Sequence, residues 1–404
     1  MMRLSLLASL AGGAVAVGDA PGHGVSKSTY ATTDPVPGMK FLIKYLPVAE
    51  SSDDCAGNVC TCAADEGDWT IQQGRVQLNL ESGGRGFGMH MVNLTKRVTT
   101  GGPALETIEA AFATRLGDMT KFDAFMDHHV GLYTDDLAIY TSAFDADKVP
   151  YYLMHWTSGA DTWYSASIHV PNTQLIVELL SKNYTQTGLR ASAPAPSPRL
   201  HADRAAEIAE WGTDRAYVYA IRVSRAVTNL TEVDAFYTGA LGAATSSKSA
   251  QKACYKLATT SSFVDTTEVC FNEHADDKHD VLSVAGYVSG LFATHAALLT
   301  KPTCGMDKYL DNHLAVDPTD HRSTSFGDNI VKYIDANADA MYYCEYDEGH
   351  SASGYNLHYI IDPSGFGVQV DMQYTSPPKG CSSTDAFRRR LQGHENPACN
   401  LGTC

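Results

Sequence analysis

The sequence predicts an α+β chain of tandem domains built from paired strand-helix-three-strand (βαβββ) units. Two observations predict this. Between Lys121 and Ser181, the strand-like run FMDHHVGLYT leads into the short helix-like run DDLAIYTSAF. The three β-rich runs VPYYLMHWTS, DTWYSASIHV and TQLIVELLS follow, separated by breaks containing Pro, Gly, Asp or Asn. The second observation is that the same order returns in the second half, at a period too long for a solenoid.

Taken in order, MMRLSLLASLAGGAVAVGDA has a basic start, an apolar centre and small residues near its end, so residues 1–20 read as a secretory signal. Residues 21–37 are polar with scattered Gly and Pro and read as an irregular leader. MKFLIKYLPV reads as the first strand of a domain over residues 38–185. GRVQLNLES and FGMHMVNLT read as paired strands, and GGPALETIEAAFATRLGDM as a helix. Asp135 reads as the cap of the DDLAIYTSAF helix. The Pro/Ala/Ser-rich residues 186–213 read as a linker. A second domain, residues 214–375, holds strands AYVYAIRVSR, ACYKLA and TTEVCFNEH. It continues with YLDNHLAVD, a helix around FGDNIVKYIDA, and strands MYYCEYD, YNLHYIID and FGVQVDM. Residues 376–404 form a Cys-containing tail.

Laid over one another, the halves match Phe125-Met-Asp-His-His129-Val with Tyr309-Leu-Asp-Asn-His313-Leu, and FLIKYLPV with YAIRVSRA. The second match sets Lys44 opposite Arg222. His128, adjacent to His129, is expected on the opposite side of its strand and at the surface.

A formal net charge of -16 opposes a nucleic-acid or anionic-membrane partner, either of which needs a basic face. After signal removal, no stretch has the ~20 apolar residues of a membrane span. Ten cysteines and the sequons at Asn93, Asn183 and Asn229 fit a secreted or secretory-lumen glycoprotein. Cys254 and Cys270, on neighbouring strand candidates, are the favoured disulfide. Cys55, Cys60 and Cys62 lack a second half with zinc spacing. Neither G-x-S-x-G, G-x-G-x-x-G nor a P-loop stands at a strand-to-helix junction, which argues against serine nucleophiles and nucleotide cofactors.

Several motifs resemble the vicinal oxygen chelate superfamily, which includes glyoxalase I, fosfomycin-resistance proteins and extradiol dioxygenases. The run from Asp127 to Leu132, DHHVGL, is similar to the family's opening strand. FYTGALG, from Phe236 to Gly242, resembles its helix end. Asp362-Pro-Ser-Gly365 with Val368-Gln369-Val370, and Gln174 to Leu179, resemble its closing strands.

The resemblance implies curved mixed sheets around a divalent metal (Zn, Fe, Mn or Ni). The implied ligands are His129 and Glu178 in the first domain, and His313 and Gln369 in the second. The family's remaining ligand positions fall on Lys44 and Arg222, which as cations cannot ligate. They are expected instead to hold an anionic substrate group, the alternative being that they point outward. His90, His155, His169 and His358 are further candidates to complete the ligand set.

The implied activity is metal-dependent lyase or dioxygenase chemistry on a small oxygenated metabolite. The alternative is a non-catalytic binding protein with a degenerate metal site. The expected partner is a small molecule, with a homodimer as an allowed assembly.

Overall fold

A computed structural model describes residues 24–50, 60–63, 70–78, 87–95, 128–184, 218–257, 267–273, 288–289, 292, 313–317, 323–345 and 356–378, a few positions within these stretches excepted. The expected signal, the linker, the helix over 101–119 and the tail beyond 378 lie outside the described residues, as do Asn183 and the cysteines beyond 345.

Four units follow one another. The first comprises β1 (Gly24–Ala31), α1 (Pro35–Tyr45), β2 (Val48–Glu50), β3 (Cys60–Ala63), β4 (Thr70–Leu78) and β5 (Gly88–Thr95). The second comprises β6 (His129–Thr134), α2 (Leu137–Asp147), β7 (Tyr152–Ser158), β8 (Asp161–His169) and β9 (Ile176–Ser181). The third comprises β10 (Val218–Val227), α3 (Leu230–Asp234) running into a π-type turn at Ala235–Ala240, β11 (Ala244–Lys248), β12 (Lys252–Lys256) and β13 (Glu268–Glu273). The fourth comprises β14 (His313–Asp317), α4 (Thr324–Ala336), β15 (Tyr342–Glu345), β16 (Asn356–Ile361) and β17 (Gly367–Met372).

These strands make two mixed, curved sheets. One runs β15-β16-β17-β14-β1-β5-β4-β2, with β3 on β4, and the other runs β11-β12-β13-β10-β6-β9-β8-β7. Strand β1 therefore pairs with β14, and β6 with β10, both antiparallel. The sheets join unit one to unit four and unit two to unit three.

The helices pair differently. The Tyr45 ring of α1 lies against Phe144 of α2, and Phe236 lies against Tyr333 of α4. These helix contacts fall within the stretches 38–185 and 214–375, while each sheet draws on both.

Residues 24–31, expected as an irregular leader, are instead the central strand β1. The run MKFLIKYLPV, expected as a strand, lies mostly in helix α1. Its Ile, Phe and Tyr content favours a strand, but Asp34 accepts a hydrogen bond from Val36 N and Pro35 occupies the first turn. Met39, Leu42 and Tyr45 are then buried at helical spacing. In unit two the cap is Asp136, not Asp135: its side chain accepts from Ala138 N at 2.9 Å.

Strand alternation separates two chemistries. Val130, Leu132, Val177, Leu179, Ala166 and Val223 enter the apolar core, as do Leu314, Val368 and Val370 of the other sheet. The alternate positions on the same strands carry the polar residues of the site.

Candidate functional site

The polar face of the second sheet centres on His129, the first residue of β6. Gly131 lies two residues on, beside Glu178 of β9 and opposite Arg222 of β10. His129 Nε2 and Glu178 Oε2 are 3.0 Å apart, and an Arg222 NH2 donates to the same carboxylate oxygen. Glu178 is 4% exposed. Burial alone would raise its carboxyl, but the charges of Arg222 and His129 overcome this and hold it well below the usual carboxylate range.

Gly131 makes the arrangement sterically possible. A β-carbon there would overlap Arg222 Cγ, so the arginine stem crosses where any other residue has a side chain. The sequence-predicted trio His129, Glu178 and Arg222 therefore meets in one cluster.

The other sheet repeats the geometry with different residues. His313 opens β14, Ala315 lies beside Gln369 of β17, and Lys27 of β1 is opposite Ala315. Both central pairings shift register one residue earlier, between Val25 and Lys27 and between Ala220 and Arg222. This shared bulge fixes the correspondence. Lys27 matches Arg222, Ala315 matches Gly131, Gln369 matches Glu178, and Thr29 matches Ser224. His90, beside Thr29 on β5, matches Cys270, beside Ser224 on β13.

Around His313, Thr29 Oγ1 lies 3.1 Å from Nε2, and the Tyr359 ring stands edge-on at 5.5 Å. A β-carbon at Gly88 would sit 3.0 Å from His90 Nε2 and 3.3 Å from Lys27 Cβ, which brings those two side chains together. Gln369 Oε1 is buried and has no hydrogen-bond partner.

Lys44 is not part of either cluster. It lies in the last turn of α1, 59% exposed, paired with Asp147 at 2.8 Å. The sequence comparison aligned it with Arg222 because MKFLIKYLPV reads as a strand; the true counterpart is Lys27, inside the expected leader. His128 is buried at 3% exposure and stacks on Phe366, where a surface position was expected.

Of the remaining histidines, His155 is exposed, His169 Nε2 lies 2.6 Å from Thr173 O in a turn, and His358 is on the core-facing side of β16. Asn229 caps α3 through Oδ1 and donates to Glu232 through Nδ2, and Asn93 lies on β5.

Two donor sets result. The His129 set does not fit a divalent cation, because a guanidinium already neutralises Glu178. Strand register puts His90, His313 and the unbonded amide oxygen of Gln369 on one face of the other sheet, donor types that suit a borderline divalent ion. Cys254, Glu268 and Cys270 also place ligand atoms within 4.8 Å of one another, but Cys254 and Cys270 are joined as the expected disulfide and present no thiolates.

No family model and no curated protein matches the chain. Solved structures do. A putative dioxygenase from Bacillus subtilis is 9% identical over 93% of this chain and 97% of its own, with a TM-score of 0.47. Glyoxalase I from Zea mays is 11% identical over 92% and 96%, with a TM-score of 0.46. The Mn(II)-bound glyoxalase from Novosphingobium aromaticivorans is 10% identical over 88% and 85%, with a TM-score of 0.21. The repeated βαβββ units, paired across central antiparallel strands in two curved mixed sheets, give the α+β architecture expected from the motifs and are consistent with glyoxalase-like units.

Proposed function

We propose that the protein is a secreted, divalent-metal-dependent enzyme of glyoxalase or dioxygenase type acting on a small oxygenated metabolite at the His313 cluster. His90, His313 and Gln369 would hold the metal. The observation that carries the reading is Gln369 Oε1, a buried acceptor without a donor, on the strand face shared with His313. Such an atom calls for an explanation, and a ligated ion supplies one. When bound, the metal supplies Lewis-acid polarisation of neighbouring substrate oxygens.

The chain's own residues do the rest. Thr29 and Tyr359 fix the His313 ring, as outer partners do for ligating histidines. Lys27, beside His90, attracts an anionic substrate group. The N-terminal signal and the sequons support a secretory-lumen location.

A second reading, a non-catalytic binding protein, is favoured by the ion-paired His129 cluster. Elemental analysis of the full chain purified without chelator separates the two. The enzyme reading expects about one equivalent of Zn, Fe, Mn or Ni, absent from a His90→Ala/His313→Ala double variant that remains folded. A metal-free parent chain would overturn it and leave the binding reading.

A further inference from the structure

The two clusters occupy corresponding positions on a shared bulge, yet only one has a carboxylate, and that carboxylate has a guanidinium on it. Three features place Arg222 there. The bulge before it turns its stem toward β6. Gly131 clears the path, whereas Ala315 in the other cluster carries a β-carbon at that point. Glu178, buried, needs a counter-charge, and His129 Nε2 approaches the same oxygen that Arg222 uses.

We infer that Arg222 is the resident cation of the His129 cluster: its guanidinium, on the Glu178 oxygen that His129 also approaches, takes the place of a divalent ion, making this cluster metal-free and one substitution away from a metal site. A guanidinium and a metal ion cannot both be accommodated. Each would draw on the same Glu178 oxygen, and the two cations would repel across a poorly screened, buried site. Cys270, at the position corresponding to His90, is held in the Cys254 disulfide and adds no competing ligand. The inference is independent of whether the His313 cluster binds a metal.

Equilibrium dialysis of the whole chain against Co2+, read by elemental analysis and by visible absorption, tests it. Arg222→His should bind about one more Co2+ per chain than the parent. Adding His129→Ala to that variant should remove the extra ion. In the parent, His129→Gln leaves the Arg222–Glu178 pair intact and should not change the stoichiometry. A folded Arg222→His chain that gains no Co2+ would overturn the inference. So would a parent chain that loses one equivalent on His129→Gln, since Arg222 must then yield to a metal. Should Arg222→His fail to fold, the comparison of parent with His129→Gln decides alone.

Discussion

His358 is 1% exposed, and neither ring nitrogen has a hydrogen-bond partner. Burial pushes its pKa down from 6.5 to about 4. The unfolded chain therefore takes up this proton first as the pH falls. The contribution is fully present above the unfolded value and is lost through the window down to about pH 4. Between pH 7 and pH 5 the loss is about 2 kcal/mol. Thermal melts across that interval should show the parent losing stability, and His358→Leu should flatten the dependence. Glu178, whose carboxyl is also held below its unfolded value of 4.5, contributes above that value and loses the contribution only in stronger acid, so the two windows are distinguishable.

At this scale the sequence was legible where residue type and motif agreed, as at His129 and Glu178. Lys27 and His90 were harder. Strand β1 reads GVSKSTYA, so polar residues on its site face hide the alternation, and a bulge of one residue breaks the remaining pattern.

Among the elements, α4 depends on a close approach. A β-carbon added at Gly327 would collide with the Gln373 backbone carbonyl just beyond β17. Gly327→Ala must push the helix away from the strand that carries Gln369. We expect a loss of about 1–3 kcal/mol by denaturant titration, with m unchanged. Weakened metal binding should follow if Gln369 is a ligand. An unaltered midpoint would show that the helix shifts without cost.

Most strands beyond the linker were predictable, since runs such as ACYKLA and YNLHYIID are short, apolar and bounded by turn residues. Helix α1 was not, because its type is decided by the Asp34 cap and by Pro35 in its first turn rather than by the β-favouring composition of MKFLIKYLPV. Strand β11 carries only exposed residues and so lacks a burial signal altogether.

For the molecule as a whole, Arg225 joins the two sheets. It is fully buried on β10, donates to Ser224 O at 2.8 Å and to Ser28 Oγ of β1 at 3.2 Å, and lies 3.8 Å over the Phe366 ring. Nearby, Tyr237 OH donates to buried Asp362 at 2.8 Å, again linking units three and four. Arg225→Met keeps the apolar stem and removes the donors, at an expected cost of about 3 kcal/mol. Calorimetry should record one transition moved to lower temperature. Two separated transitions would mean that the sheets unfold independently of this contact.

The pairing of units across the halves could not be read from the repeat. Internal similarity points to repeated units, but the choice of partner is made at the edges of β1, β6, β10 and β14, between stretches far apart in sequence.

That choice has a consequence for any shortened form of the chain. Each cluster takes one side from either half: His129 and Glu178 face Arg222, and Lys27 and His90 face His313 and Gln369. A product truncated between β9 and β10 keeps neither cluster intact and exposes two raw sheet edges, on β1 and β6. It could complete its sheets only by clasping a second polypeptide, so loss of either half disables both clusters at once.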